Sequence, residues 1–427
     1  MKSRTRGRLV VLLGVIAALV LAVSWWRIDH PAGDAATTPS VQPTPSSTAL
    51  PASSMLFQLR DDQQSAVGNE QLVVSSSGSA QGIVAPAPLL VHVAGAGPMT
   101  LAETGRLPSP NNAGDAVSDL LGLRVDATLI LDRLAYEALV DSVGGVLVRV
   151  DTPVTKKQPD GSTVVVVPAG LRLLDGPGAA AYALYTAPGE TAAAQEKRFA
   201  AVNQQIFAKL PNDPQKIKGI LGSLGASSRS SVTPDEVAAI LQRLHLASVT
   251  GRLTQQDLPT TTVDSTYPQQ LRLDFLPMND MLSSALSEVR LQTPPQSNVR
   301  ALVFDGIRSR ALVDAAAAQL DEADLRYVDG GPAIGVPVAK TQVYVSSATP
   351  QAFQWGRDVI AALNLPSTTN VVALPDSSGS GSTVSSSAAE VLANLPDPRL
   401  IQVADVTVVL GADYRGPGAP PSPTTTG

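Results

Sequence analysis

The sequence predicts a layered α/β fold in two domains, held at a membrane by its N-terminus. Apolar segments with strand periodicity alternate with segments of helical periodicity over residues 55–291, a pattern typical of layered α/β domains. A shorter series of the same kind, over residues 299–414, predicts a small α/β (α+β) C-terminal domain. Between them, residues 292–298 (QTPPQSN) have no large apolar side chain, so we expect a linker.

Composition narrows the function classes. The 427 residues are 44% hydrophobic, which is enough for two packed cores. The net charge is −6 with no long basic run, so we expect no nucleic-acid partner. The chain has no cysteine, and its three histidines are far apart in sequence. We therefore predict neither a zinc site nor a Ser-His-Asp triad, and we expect no metal site.

The N-terminus predicts a membrane anchor. Residues 9–26 carry no charge and would form a helix about 27 Å long, close to the thickness of a bilayer core. The preceding basic residues place the N-terminus in the cytoplasm and the bulk of the chain outside the cell membrane, as a single-pass protein. A signal peptide cleaved near residues 22–24 is the alternative, and Trp25 and Trp26 argue against it. The basic residues are Lys2, Arg4, Arg6 and Arg8.

The segments around the two domains are polar and rich in proline, serine or glycine. Residues 28–54 predict a disordered spacer after the anchor at 1–27, residues 376–387 a flexible insertion, and residues 415–427 a disordered tail. The first domain is predicted to have strands at 55–60, 71–75, 84–93, 128–131, 146–150 and 163–167, a turn at 66–69, and helices at 134–143, 178–184, 191–209, 233–244 and 283–289. The second is predicted to have strands at 299–304, 325–328, 341–345, 371–374 and 405–410, with helices at 310–322 and 350–363.

Three stretches carry a family resemblance. Residues 84–97 (VAPAPLLVHVAGAG), 118–150 (from SDLLG to GGVLVRV) and 169–185 (AGLRLLDGPGAAAYALY) resemble sequence blocks of the LytR-CpsA-Psr family. Residues 299–306 (VRALVFDG) and 403–414 (VADVTVVLGADY) resemble the C-terminal domain often joined to that family. The resemblance implies membrane-bound proteins that move a glycopolymer from a polyprenyl-pyrophosphate carrier to the cell wall, gripping the pyrophosphate with arginines.

The chain departs from the family pattern at the charged positions. Ala87 and Pro88 stand where the family has Arg and Asp, and Leu184 stands where an Arg follows the tyrosine. Alanine and leucine cannot form the forked hydrogen bonds that arginine makes to phosphate oxygens. We therefore expect a binding or partner protein of cell-wall glycopolymer assembly. The alternative is an active phosphotransferase in which the missing arginines are replaced from other positions, by Arg60, Arg106, Arg172 or Arg198.

The candidate anion-binding residues are Arg198, Lys197, Arg60 and Arg172. Arg198 matches the arginine of the family's Arg-Gln helix, and Lys197 precedes it. The alternative for these two is an exposed basic pair on a helix. Arg60 begins Arg-Asp-Asp, which resembles the family's acidic-arginine motif only in neighbourhood, so a solvated turn is the favoured interpretation. No cofactor is expected, and Mg²⁺ enters only if the transferase alternative holds.

The expected partners follow from the same reasoning. We expect the membrane, through the N-terminal helix, and a polyprenyl lipid or a cell-wall polymer. Residues 129–139 and 206–224 are apolar enough to hold a lipid tail, as the resemblance implies, or to form an ordinary packed core.

Overall fold

The computed structural model describes residues 50–263, 269–291, 299–373 and 392–418. The described residues fall within one compact unit of the chain. The anchor at 1–27, the spacer up to residue 49, the linker at 292–298, the insertion at 376–387 and the tail beyond 418 lie outside these residues. Within the described part, no helix has both the length and the apolar character needed to cross a bilayer.

A six-stranded sheet forms the centre of the N-terminal half. Its strand order is β11-β6-β1-β2-β3-β12. The β1–β2, β2–β3 and β6–β11 pairs are antiparallel, whereas β1–β6 and β3–β12 are parallel. The strands are β1 (Ser53–Arg60), β2 (Ala66–Val74), β3 (Ala80–Val84), β6 (Ala127–Leu131), β11 (Ser228–Ser230) and β12 (Leu253–Asp257).

Four antiparallel strand pairs complete the β structure of this half. They are β4 (Leu90–Val93) with β5 (Gly97–Thr100), β7 (Val146–Val150) with β10 (Gly170–Leu174), β8 (Val154–Lys157) with β9 (Thr163–Val167), and β13 (Thr260–Thr262) with β14 (Leu271–Leu273). The helices are α1 (Leu101–Thr104), α2 (Pro110–Leu121), α3 (Arg133–Ser142), α4 (Gly176–Ala183), α5 (Ala192–Lys209), α6 (Pro214–Ser223), α7 (Pro234–Val249) and α8 (Phe275–Ser283).

Alternation along β1 divides the interior into two cores. Phe57 and Leu59 face α3 to α7 and belong to the first core, whereas Leu56 belongs to a second core on the opposite face of the sheet. The first core is packed with aromatic rings: the centroid of Phe57 lies 5.7 Å from that of Phe199 and 6.4 Å from that of Tyr136. Residues 129–139 and 206–224 contribute to this aromatic core.

A five-stranded sheet organises the C-terminal half, in the order β16-β15-β19-β17-β18. One face shares the second core with the N-terminal half, through Leu302 and Phe304, and the other face packs against two helices in a third core. The elements are β15 (Arg300–Asp305), α9 (Arg310–Glu322), β16 (Arg326–Pro332), β17 (Gln342–Val345), α10 (Pro350–Ala362), β18 (Val371–Ala373) and β19 (Val406–Leu410). The predicted α/β class is confirmed.

Three of the predicted elements are wrong. Residues 66–69 are part of β2 instead of a turn, because the chain turns earlier, where Asp61 Oδ1 accepts the backbone N–H groups of Gln63 and Ser65. A glycine is needed at position 68 of that strand, because a Cβ there would lie 2.8 Å from the Phe199 ring.

The other two errors concern segment ends. The strand predicted at 84–93 is two strands, since Pro86 and Pro88 lack the N–H groups that a ladder needs and the chain turns between them. The helix predicted at 283–289 is not formed. Helix α8 ends at Ser283, where the predicted helix would begin, and within the predicted range only Ser287–Val289 is helical, as a short 3₁₀ helix. The Ser283 and Ser284 hydroxyls bind the carbonyls of Asn279 and Asp280, a local bond that competes with helix continuation.

Candidate functional site

The Arg198 centre lies where the loop between α4 and α5 folds back over α5. Gln195, on the same helix, donates its side-chain N–H to the Ala183 carbonyl at 2.6 Å and ties the end of α4 to α5. This places Arg198 beneath the loop, with 2% of its side chain exposed. Asp175, in the Leu-Asp-Gly turn, accepts the Gly178 N–H at 2.9 Å and caps α4, so its role there is structural.

Every N–H donor of Arg198 is used. Nε and Nη2 donate to the two carboxylate oxygens of Asp151, at 3.0 and 3.2 Å. Nη1 and Nη2 donate to the two carboxylate oxygens of Glu190, at 2.8 and 2.6 Å. The second Nη1 proton goes to the Tyr185 carbonyl at 2.9 Å. A guanidinium has five N–H groups, and these five bonds account for all of them.

Two carboxylates therefore neutralise this arginine. The hydrogen bonds that Arg198 donates to Glu190 and Asp151 outweigh burial and raise the pKa of Arg198 above its ordinary value. Burial is the largest single influence and raises the pKa of Asp151, but the hydrogen bonds from Arg198, the Thr152 N–H and the Tyr182 hydroxyl, with the charge of Arg198, together outweigh it and lower the pKa of that carboxyl. The hydrogen bond from Arg198 also lowers the pKa of Glu190. The guanidinium carbon lies 5.8 Å from the Tyr185 ring centroid, so an aromatic face adds to the enclosure.

The positions where the resemblance implies charge are uncharged in the folded chain. Ala87 and Pro88 form the turn between β3 and β4, and Leu184 ends α4 and packs partly buried against the first core. The partner of Ala87 is an acid: its backbone N–H donates to Glu196 Oε1 at 2.8 Å. Burial raises the pKa of Glu196 to about 8; the Ala87 N–H opposes the shift and the nearby Asp257 adds to it.

A second buried acid lies between β2 and α5. Both oxygens of the Glu70 carboxyl accept amide protons, from Asn203 at 2.7 Å and from Gln255 at 2.8 Å. The Tyr136 hydroxyl in turn donates to Asn203 at 2.8 Å, so the three side chains form a directed chain of hydrogen bonds. Burial raises the pKa of Glu70 to about 7, against the two hydrogen bonds. Gly82 makes room for this carboxyl, since a Cβ there would lie 2.2 Å from its Oε1.

The other predicted anion-binding residues lie elsewhere. Lys197 is exposed, beside a cleft of about 330 Å³, and pairs with Asp257 at 3.1 Å. Arg172 lies on β10, where it donates to the carbonyls of Pro168 and Ala169 at 3.3 and 3.0 Å. Of the two alternatives for this pair, the exposed position on a helix holds for Lys197 and does not hold for Arg198, whose side chain is buried.

Arg60 is also buried, with 7% of the residue exposed, although a solvated turn was expected. Its Nη1 donates to the Gly105 carbonyl at 3.2 Å, and Arg229 Nη2 donates to the same oxygen at 2.9 Å. Burial, followed by the charge of Arg60, lowers the pKa of Arg229. Arg106, the next residue after Gly105, donates to the Ser65 hydroxyl at 2.8 Å. Arg60 and Arg229 thus share one carbonyl, Arg106 binds a different group, and the contacts of all three are separate from those of Arg198 and Arg172.

The carboxylates around the Arg198 centre already have partners among the described residues. Within residues 50–263, 269–291, 299–373 and 392–418, no three His, Cys, Asp or Glu side chains are grouped to hold a metal ion. The carboxylates closest to the Arg198 centre, Asp151 and Glu190, are bound to the guanidinium. Asp61 is held by its own turn.

Sequence reasoning did not identify the acids that define this region. Asp151 lies 47 residues before Arg198 in the chain, and Glu70 lies 133 residues before Asn203. No local pattern marks such pairs. Glu196 is the acid that the sequence could have indicated, because it directly precedes the two basic residues Lys197 and Arg198 and can therefore offset part of their charge.

Comparison with protein families matches residues 99–248 to the model described as the LytR_cpsA_psr family. Comparison with curated proteins finds no match. Among solved structures, TagV of B. subtilis is similar with a TM-score of 0.46 and 14% identity, over 57% of this chain and 99% of that one. The structure titled "TagT bound to LI-WTA" has a TM-score of 0.47 and 17% identity, over 56% and 91%. A LytR-Csp2A-Psr enzyme from Actinomyces oris has a TM-score of 0.43 and 20% identity, over 54% and 88%.

Proposed function

Because residues 99–248 belong to the LytR-CpsA-Psr family, we propose that this protein acts in cell-wall glycopolymer assembly, as a binding or partner protein and not as the transferase. The observation that supports a role other than the transferase is the set of contacts around Arg198. The arginine that matches the family's helix has all its donors bound to Asp151, Glu190 and the Tyr185 carbonyl.

An incoming pyrophosphate would find no available positive charge at this centre. To reach Arg198 it would have to displace Glu190 or Asp151, which already supply the negative charge that the guanidinium requires. Ala87 and Leu184 offer no donor side chain, and Glu196 occupies the Ala87 N–H. Stabilisation of developing charge by fixed cations is the main contribution of the protein to phosphoryl transfer. Two missing charge-assisted contacts, at about 1–3 kcal/mol each, reduce the rate on the order of a hundredfold or more.

The proposal includes the location and the partners. We place residues 1–27 in the cell membrane with the N-terminus in the cytoplasm, and the rest of the chain outside. The spacer that joins them ends at residue 52, because Ser53 and Ser54 belong to β1. Residues 299–414 form the LytR-type C-terminal domain in this proposal, with the linker at 292–298. The ligand is a polyprenyl lipid or the cell-wall polymer that it carries.

A transfer assay tests the catalytic part. Full-length protein in detergent is mixed with magnesium, a polyprenyl-pyrophosphate oligosaccharide and peptidoglycan, with an active family member as positive control. We expect no transfer by this protein. Robust turnover that is lost in Arg198→Ala would contradict the proposal, because it would show that the arginine can exchange its carboxylates for the substrate.

A binding assay tests the remaining part. Wall polymer and lipid-linked oligosaccharide are each immobilised, and retention of the full-length protein is measured by surface plasmon resonance. We expect retention on at least one of them without turnover. A chain that binds neither ligand has no support as a member of this assembly process, whatever the transfer assay shows.

The second candidate is an active phosphotransferase, and the Arg60–Arg229 pair is the observation that favours it. Among the described residues, neither arginine is paired with a carboxylate, and their guanidinium groups share one carbonyl. The discriminating variants are Arg60→Met and Arg229→Met. If the transfer assay shows turnover that these variants abolish and Arg198→Ala does not, the catalytic cations lie at this pair.

A further inference from the structure

Two antiparallel ribbons, β7–β10 and β8–β9, present aliphatic side chains to solvent. We define the apolar ribbon face as the six exposed valines and leucines on these ribbons. With their exposed fractions they are Leu173 (68%), Leu171 (58%), Val165 (52%), Val166 (50%), Leu147 (47%) and Val164 (45%). Single exposed aliphatic residues are common on protein surfaces, but a group of this size on adjacent strands marks an interaction surface.

Strand alternation creates this face. Val146, Val148 and Val150 of β7 point inward and belong to the first core, so Leu147 points outward. Leu147 is paired with Leu173 of β10, and the next outward pair is Arg149 with Leu171. In the second ribbon, Val154 and Val167 enter the first core, and a register shift follows between Val154 and Thr155, so the three consecutive residues Val164 to Val166 are exposed without the alternation of the first ribbon. The inward residues are already packed, so folding cannot bury the outward ones.

Basic side chains surround the apolar ribbon face. Lys156 is paired with Val164 and Lys157 with Thr163 across the second ribbon, and both lysines are exposed. Arg149 and Arg172 are exposed on the first ribbon. All four nearby carboxylates have hydrogen-bond partners: Asp151 is paired with Arg198, whereas Asp160 binds Ser162, Asp175 caps α4 and Asp141 accepts the Gly176 N–H. Aliphatic residues ringed by lysine and arginine are typical of surfaces that sit in the interface of an anionic bilayer.

We propose that the apolar ribbon face lies against the outer surface of an anionic lipid bilayer, with its valines and leucines in the interface and its basic residues at the headgroups. The proposal rests on the anchorage proposed above. Residues 28–52 join the proposed anchor to β1, and a proline-rich sequence of this length reaches at most about 80 Å, at about 3.1 Å per residue. A domain tethered within this distance meets the bilayer at a raised effective concentration, so a weak surface contact is sufficient.

The absence of native cysteine allows the face to be probed one position at a time. Val165→Cys and Leu171→Cys, each labelled with a bimane fluorophore, are reconstituted as full-length protein in vesicles of equal phosphatidylglycerol and phosphatidylcholine. The vesicles carry a lipid with a nitroxide near its headgroup. Val249→Cys is the matched control, because Val249 is 53% exposed and lies at the end of α7, outside the face. We expect several-fold stronger nitroxide quenching at 165 and 171 than at 249.

Two further variants separate surface contact from tethering. Leu171→Asp together with Leu173→Asp, both at exposed positions, should lower the quenching at position 165 to the value of the control. Val249→Asp should leave it unchanged. Vesicles of phosphatidylcholine alone should give weaker quenching, because the basic residues then lack anionic headgroups.

Several results overturn the proposal. Equal quenching at 165, 171 and 249 in a chain that floats with the vesicles excludes the bilayer as the occupant of this face. Protection of the probes that rises with protein concentration in the absence of lipid assigns the face to a second copy of the chain. A chain that does not float overturns both this proposal and the proposed anchorage. Because quenching reports no transfer, it stands apart from the glycopolymer assays.

Discussion

Helix α5 contacts two kinds of buried ionisable group, an arginine and two glutamates, whose surroundings differ. Arg198 is surrounded by two carboxylates and a carbonyl, so its charge is fully compensated inside the fold. Glu196, two residues earlier, and Glu70, which the helix binds through Asn203, have only amide N–H partners. Ion pairing raises the pKa of Arg198, whereas burial raises the pKa of both glutamates.

The difference gives the physical reason for our proposal that neither centre binds a pyrophosphate. A compensated cation has no charge left to offer, and neither acid supplies a positive charge in any protonation state: with a pKa of about 8 Glu196 is mostly neutral at pH 7, and with a pKa of about 7 Glu70 is about half ionised. A site that binds phosphate needs the reverse arrangement, with cations in excess. The comparison therefore leads to predictions about pH and stability, which separate the two centres by measurement.

Glu196→Gln should have the largest effect. The pKa of Glu196 rises from 4.5 to about 8 on folding, so its contribution to stability is present below about pH 4.5 and is lost as pH rises through 8. The amide oxygen of glutamine keeps the Ala87 hydrogen bond without the ionisation. The variant should therefore gain roughly 4 kcal/mol of unfolding free energy relative to wild type between about pH 5 and about pH 9. Urea titrations of the full chain in detergent measure the free energy of unfolding of both proteins at each pH. If the two free energies change with pH in the same way, the pKa of Glu196 is not raised by folding.

Glu70→Gln should show a similar but smaller dependence. The pKa of Glu70 rises from 4.5 to about 7, so wild type loses about 3 kcal/mol of unfolding free energy, relative to the variant, as pH rises from 4.5 through 7. The glutamine amide group would face Asn203 or Gln255, each of which donates an N–H at this place, and two facing donors cost about 1 kcal/mol at every pH. The unfolding curves of the two proteins should therefore cross. A variant that is less stable at all pH values would show that Glu70 is ionised in the folded chain.

Arg198→Met should lower the free energy of unfolding by about 2–3 kcal/mol, since it removes five hydrogen bonds from a buried group. Breaking a fully buried ion pair costs more, but Asp151 and Glu190 are partly exposed and can be hydrated. The loss should hardly change between about pH 6 and about pH 9, unlike the effects at the glutamates. A loss that grows steeply over this range would mean that the carboxylates are not its partners.

Lys197→Met should have the smallest effect. The side chain of Lys197 is 66% exposed and pairs with Asp257, which is 58% exposed, so water already solvates both charges. Pairs of this kind contribute about 0–1 kcal/mol. The same denaturation series measures it, and it is the matched control for Arg198→Met because the two residues are adjacent on one helix. A loss as large as that of the Arg198 variant would indicate general disruption of α5.

Much of the local structure was predictable because it depends on short-range rules. The predicted helix at 310–322 has the bounds of α9, and the strand at 146–150 has the bounds of β7. At Thr233 the Pro-Asp-Glu sequence that follows predicts a helix start, and the structure adds a capping box between Thr233 and Glu236. The errors lie where a distant contact or a local hydroxyl decides the outcome, as at Gly68 beside Phe199 and at the end of α8.

The sequence by itself determined the alternation of strands and helices and the loss of charge at Ala87, Pro88 and Leu184, because periodicity and residue type are local properties. Only the tertiary structure decided the state of the remaining charges. Arg198 is a neutralised group because Asp151 and Glu190 reach it from a strand end and a loop, and Glu70 is a buried acid because β2 lies under α5. Electrostatic energy depends on distance and burial in space, and spacing along the chain does not specify either one.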